Sequence, residues 1–161
     1  MANAQRMLDY IRTLAQFISQ PEYLPVVPLF GFINEPNGPA LGKFPIASFY
    51  LEAYTVIREV TGIGAGNGPV LSMHDGFLGT ANWYTFLPGA DRLAIDQHTY
   101  VVSNLACPQR MLMCQVFGNQ LIGSLESIAR DPCQYWGVST NTTSQQWGIN
   151  IAGEFSAAIN E

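Results

Sequence analysis

Two glutamates occupy positions where chemistry could be done. Glu35 closes the apolar run Val26-Val27-Pro28-Leu29-Phe30-Gly31-Phe32-Ile33-Asn34 and is followed at once by Pro36; Glu154 closes a second run, Gly148-Ile149-Asn150-Ile151-Ala152-Gly153. The β-branched and aromatic residues of the first run predict a strand covered on both faces, which Pro36 ends because it has no N–H to donate. Carboxylates at the ends of two strands can face each other across a cleft, and such a pair suits glycoside hydrolysis. One, kept protonated by its like-charged neighbour and by partial burial, gives its proton to the leaving oxygen; the other, ionised, attacks the anomeric carbon. A separation of about 5–5.5 Å permits direct attack and retention of configuration, whereas a wider gap admits water and inverts it.

Two further strands end in polar groups: Val70-Leu71-Ser72-Met73-His74 runs into Asp75-Gly76-Phe77, and Leu93 to Tyr100 finishes with His98 and Tyr100. Helices are expected between the strands. Met7, Ile11, Leu14 and Ile18 mark one face of a helix over Arg6 to Ser19, and Phe49, Ala53, Val56 and Val60 mark another from Pro45 to Val60, stopped by Gly62. A third runs from about Gln109 to Arg130. Pro36-Asn37-Gly38-Pro39, the glycine-rich 62–68, Asp131-Pro132 and 139–146 are expected loops, and 80–88 an aromatic loop or short helix. Alternation of this kind predicts parallel strands joined by right-handed crossovers, with all four polar endings on the edge where such sheets bind ligands. Four strands are half of a closed (β/α)8 barrel, which takes about 250 residues. The 161-residue chain therefore reads as an α/β fragment, a partial TIM barrel.

Composition narrows the partners. Seven basic against twelve acidic residues leave a net charge of −5, which disfavours nucleic acid and anionic membrane, and the low charge with 12% aromatics fits a neutral, hydroxyl-rich ligand. Arg6, Asp9 and Arg12 interrupt residues 1–20, so no secretory signal peptide is read there. Cys107, Cys114 and Cys133 cannot all pair with one another and show no zinc spacing; one bridge with an orphan, a partner beyond this chain, and three reduced thiols all remain open. Asn141-Thr142-Thr143 is a glycosylation sequon. No Gly-x-Ser-x-Gly elbow is present, and 62–68 lacks the spacing of a phosphate cradle.

Ile33-Asn34-Glu35-Pro36, His74-Asp75-Gly76-Phe77, His98-Thr99-Tyr100 and Gly153-Glu154-Phe155-Ser156, in that order, closely resemble fungal exo-β-1,3-glucanases of glycoside hydrolase family five. The resemblance covers nearly the whole chain and implies strands four to seven of a (β/α)8 barrel in a retaining, extracellular or cell-wall enzyme. It implies Glu35 as acid/base and Glu154 as nucleophile. Asn34 would bind the sugar 2-hydroxyl, His98 would orient groups beside the acid/base, and Tyr100 would hold the nucleophile. The implied partner is β-1,3-glucan or its oligosaccharides; no cofactor, metal or protein partner is implied. Phe155 stands where the family commonly has tryptophan, and the family's arginine of strand two, histidine of strand three and tryptophan of strand eight have no counterpart here. Another β-glycanase activity, endo-β-glucanase or mannanase, and a non-catalytic sugar-binding relative are the rivals. His74 with Asp75 reads as a hydrogen-bonded structural pair. Trp83, Tyr84 and Phe86 suit either sugar stacking or the core, and Trp136 and Trp147 read as structural.

Overall fold

The computed structural model describes residues 2–100, 130 and 132–156. Cys107, Cys114 and nearly all of the helix expected from Gln109 lie outside them. The elements are α1 (Ala2–Ile18), β1 (Leu29–Gly31), α2 (Gly38–Leu41), α3 (Lys43–Thr61), β2 (Val70–His74), a 3₁₀ turn (Thr80–Trp83), β3 (Leu93–Tyr100), a π-helical turn (Pro132–Trp136), α4 (Gly137–Gln146) and β4 (Asn150–Ser156). The strands form one sheet in the order β1-β2-β3-β4, every pair parallel. Each strand lies beside its successor in sequence with no switch point, so the sheet curls as a half-barrel of four strands.

The helices pack as amphipathic faces, turned from the expected ones. In α1 the buried residues are Leu8, Ile11 and Ala15, while Leu14 is exposed. In α3 they are Ile46, Tyr50, Ala53 and Ile57, with Phe49, Val56 and Val60 only flanking the core. Both sets keep steps of three and four; the side each helix presents was decided by the strands and helix it meets. Tyr50 is fully buried between Phe32 and Trp83, at ring separations of 5.6 and 5.5 Å, and its hydroxyl donates to the His74 carbonyl at 2.7 Å. Arg58, nearly buried, donates to the Pro69 and Asp91 carbonyls and ties together the loops that lead into β2 and β3.

Three expected elements differ. The first strand is only Leu29–Gly31, and Leu29 is exposed, because β1 is an edge strand in this sheet. Residues 36–39 are not wholly loop: Asn37 caps the single turn α2 by accepting from the Ala40 N–H at 3.1 Å. Residues 139–146 form most of α4, whose polar sequence carries no apolar face to reveal it. Thr143, fully buried, anchors this helix by sharing hydrogen bonds with the hydroxyls of Thr80 and Tyr84 at 2.7 and 3.2 Å. That burial encloses the hydroxyl of the sequon, although Asn141 itself is exposed.

Candidate active site

The site lies at the carboxyl ends of the strands. Alternation along β3 puts Asp96, His98 and Tyr100 on one face, with Leu93, Ile95 and Gln97 on the other. Gln97 confirms the division, since its amide donates outward to Thr140 on α4. Opposite Asp96, in register, stands His74 at the end of β2.

A bulge turns Glu154 to the same face. Gln97 pairs with Ala152 but His98 pairs with Glu154, so Gly153 is an extra residue in β4. Were the ladder regular, Gly153 would pair with His98 and Glu154 with Thr99, and Glu154 would point away from His98 and Tyr100, because a one-residue slip reverses every side chain that follows. The bulged Gly153 N–H donates to Asp96 Oδ1 at 2.8 Å, and a Cβ on Gly153 would lie 2.6 Å from both Asp96 carboxylate oxygens. Only glycine permits this approach.

Glu35 arrives from the loop after β1, with its backbone in the left-handed region at φ 39°, an uncommon conformation for a residue with a side chain. The loop is held against its neighbour: the Gly38 N–H donates to the Gly76 carbonyl at 3.0 Å, so close that a Cβ on Gly38 would stand 2.2 Å from that oxygen.

These elements bring four of the five expected residues together. The Tyr100 hydroxyl lies 3.0 Å from Glu35 Oε1 and 2.6 Å from Glu154 Oε2. His98, nearly buried, places Nδ1 2.8 Å from Glu35 Oε1 and 3.7 Å from Glu154 Oε1. Burial and then the hydrogen bonds to both carboxylates push the Tyr100 phenol well above its ordinary range, so it stays a donor. The two bonds through one phenolic oxygen hold the joined carboxylate oxygens no farther apart than the sum of their lengths, which leaves no wide gap between them. The fifth residue, Asn34, is exposed beside Glu35.

His74 and Asp75 are structural, but not as a mutually bonded pair; their closest ring-to-carboxylate approach is 3.7 Å. Each fastens the turn after β2: His74 Nδ1 accepts the Gly76 N–H at 2.9 Å and Asp75 Oδ1 accepts the Phe77 N–H at 2.8 Å. Burial, followed by the adjacent His98, lowers His74 to a pKa of about 3, and burial raises Asp75 to about 6. Glu35, His74 and His98 bring ligand-type atoms within 4.8 Å of one another. They suit a metal poorly, because the bond that Nδ1 accepts leaves the ring proton on Nε2, a donor and not a ligand. Trp83 takes the core reading: it is fully buried and its indole N–H donates to the Asp75 carbonyl at 2.9 Å. Phe86 and Trp147 are partly buried against the same core. Cys133 is a free, exposed thiol.

Sequence reasoning missed Asp96 and the bulge at Gly153. Alternation with His98 and Tyr100 was available for the aspartate, but nothing local announces a bulge.

No family model matches the chain. It is 30% identical over 160 residues to the probable glucan 1,3-β-glucosidase D of Aspergillus flavus and 29% identical over 159 residues to glucan 1,3-β-glucosidase D of Emericella nidulans. This chain is a homologue of the glucan 1,3-β-glucosidases. The two matches cover 97% and 96% of it but only 17% of each relative. Glucan 1,3-β-glucosidase 2 of Schizosaccharomyces pombe is 35% identical over 104 residues, 63% of this chain and 17% of its own length. Among solved structures, the catalytic domain of Thermobifida fusca endoglucanase Cel5A matches 96% of this chain and 52% of that one, with a TM-score of 0.50 and 15% identity. That likeness shows the fold: the four-stranded half-barrel corresponds to part of a (β/α)8 barrel.

Proposed function

We propose that this chain is the central segment, approximately strands four to seven, of the catalytic barrel of a retaining family-five glycoside hydrolase that releases glucose from β-1,3-glucan. The observation that carries the reading is the single Tyr100 hydroxyl joined to both Glu35 and Glu154. In the first step Glu154 attacks the anomeric carbon as Glu35 passes its proton to the departing glycosidic oxygen; in the second, Glu35 takes a proton from water, which displaces Glu154. Tyr100 and His98 hold the two carboxylates, and Asn34 binds the 2-hydroxyl, a contact that tightens in the transition state. The names of the relatives support β-1,3-glucan as substrate, while an extracellular or cell-wall setting rests on the sequence resemblance alone. Among the described residues, no helix is long and apolar enough to cross a membrane.

A slow fluoro-glucoside should label Glu154 of the full-length protein covalently, and laminarin should yield glucose as sole early product. An unlabelled Glu154 removes the mechanism and favours a sugar-binding relative; preferential cleavage of cellulose or mannan reassigns the substrate. Residues 1–161 alone should show little or no hydrolysis, because half a barrel leaves strand edges and the apolar residues Leu29, Ile149 and Phe155 exposed. Laminarin hydrolysis by the isolated chain, with cooperative unfolding, would contradict this.

A further inference from the structure

A third carboxylate, Asp96, touches the supports of both glutamates. Its Oδ1 accepts the N–H of Gly153, the residue whose bulging out of the ladder lets Glu154 pair with His98. Its Oδ2 lies 3.5 Å from Nε2 of His98, the ring whose other nitrogen meets Glu35. We propose that Asp96 is a positioning residue that sets the two glutamates together: it locks the bulge beneath Glu154, and its charge keeps the His98 proton on Nε2 so that Nδ1 is free to accept the proton of Glu35. This rests on the acid/base and nucleophile reading above.

The proton inventory supports it. Tyr100 has one phenolic proton, and the shorter of its two bonds, 2.6 Å, runs to Glu154. A proton on Glu35 Oε1 then has His98 Nδ1 at 2.8 Å as its nearest acceptor. That nitrogen accepts only if the ring proton is on Nε2, and an anion beside Nε2 favours that tautomer. The other groups facing His98 are Glu154, 3.7 Å from the same Nδ1, the His74 ring at 4.3 Å, the Tyr100 ring at 6.4 Å and the Asp75 carboxylate, which interacts with it electrostatically. Among the described carboxylates, Asp96 is the one within ion-pair distance of Nε2. In a serine-protease triad, replacing the equivalent aspartate with asparagine preserves geometry but selects the wrong histidine tautomer, at a cost of about 10⁴ in kcat.

Asp96→Asn keeps an oxygen for the Gly153 N–H and presents an N–H₂ to His98, driving the ring proton to Nδ1. In the full-length protein, kcat/KM should fall about 10²-fold on laminarin, whose leaving group needs the acid, yet less than about threefold on dinitrophenyl β-glucoside, whose leaving group does not. Asp96→Ala also releases the bulge and should impair both substrates. Nitrogen-15 spectra of labelled histidine should show His98 as the Nε2–H tautomer in the parent and Nδ1–H in Asp96→Asn, independently of any activity. Equal losses on both substrates, an unchanged rate, or an unchanged tautomer in Asp96→Asn would overturn the proposal. If Glu35→Gln and Glu154→Gln are inactive while Asp96→Asn is unaffected, this inference alone falls; if both glutamine variants remain active, the catalytic reading falls instead.

Discussion

Replacing Tyr100 with phenylalanine removes one oxygen and leaves the ring, which makes it a direct probe of how the carboxylates are held. The hydroxyl makes two contacts, at 3.0 Å to Glu35 and 2.6 Å to Glu154. A hydrogen bond to a charged group contributes about 1.5–3 kcal/mol. One proton cannot serve both acceptors, and water can reach side chains that are 28% and 49% exposed, so the two contacts are not additive. A net loss of about 1.5–3 kcal/mol of transition-state stabilisation corresponds to roughly a 10- to 10²-fold fall in rate. The hydroxyl's two hydrogen bonds run to the carboxylates, so the loss is expected in kcat with KM little changed. Steady-state kinetics of Tyr100→Phe on laminarin, with a melting curve to confirm the fold, would measure it. A variant that melts like the parent and turns over at the parent rate would refute the idea that this hydroxyl organises the pair.

Acid should act oppositely on two adjacent residues. His74, depressed to about 3 by burial, lends stability that is full above its unfolded value of 6.5 and is lost as pH falls toward 3, by about 1.4 kcal/mol per unit. Asp75, raised from 3.8 to about 6, costs stability as pH rises through that interval and regains it on acidification. Asp75→Asn should therefore lose stability between pH 6 and 4 more steeply than the parent in denaturant titrations, and parallel curves would contradict the assignment. Gly38→Ala should destabilise by about 1–3 kcal/mol, because its methyl group would stand 2.2 Å from the Gly76 carbonyl; an unchanged unfolding midpoint would show that this loop contact yields freely.

Alternating apolar runs and helical spacings, with Pro36 and Gly62 as stops, were enough to predict parallel strands in order, and the polar strand endings singled out Glu35, His98, Tyr100 and Glu154. These signals are local: period, punctuation and residue type survive in a linear string. The exposed edge of β1, the rotation of α1 and α3, and the existence of α4 depended on neighbours that no window of sequence contains. The same holds for the site. Residue order placed two glutamates at strand ends, but whether Glu154 faces Tyr100 or turns away is set by whether one glycine, Gly153, pairs in the ladder or bulges out of it. That glycine is held by Asp96, 57 residues earlier in the chain and adjacent only across the sheet. Side-chain type is written in the sequence; the side of the strand on which it emerges was settled by register, a property of paired backbones.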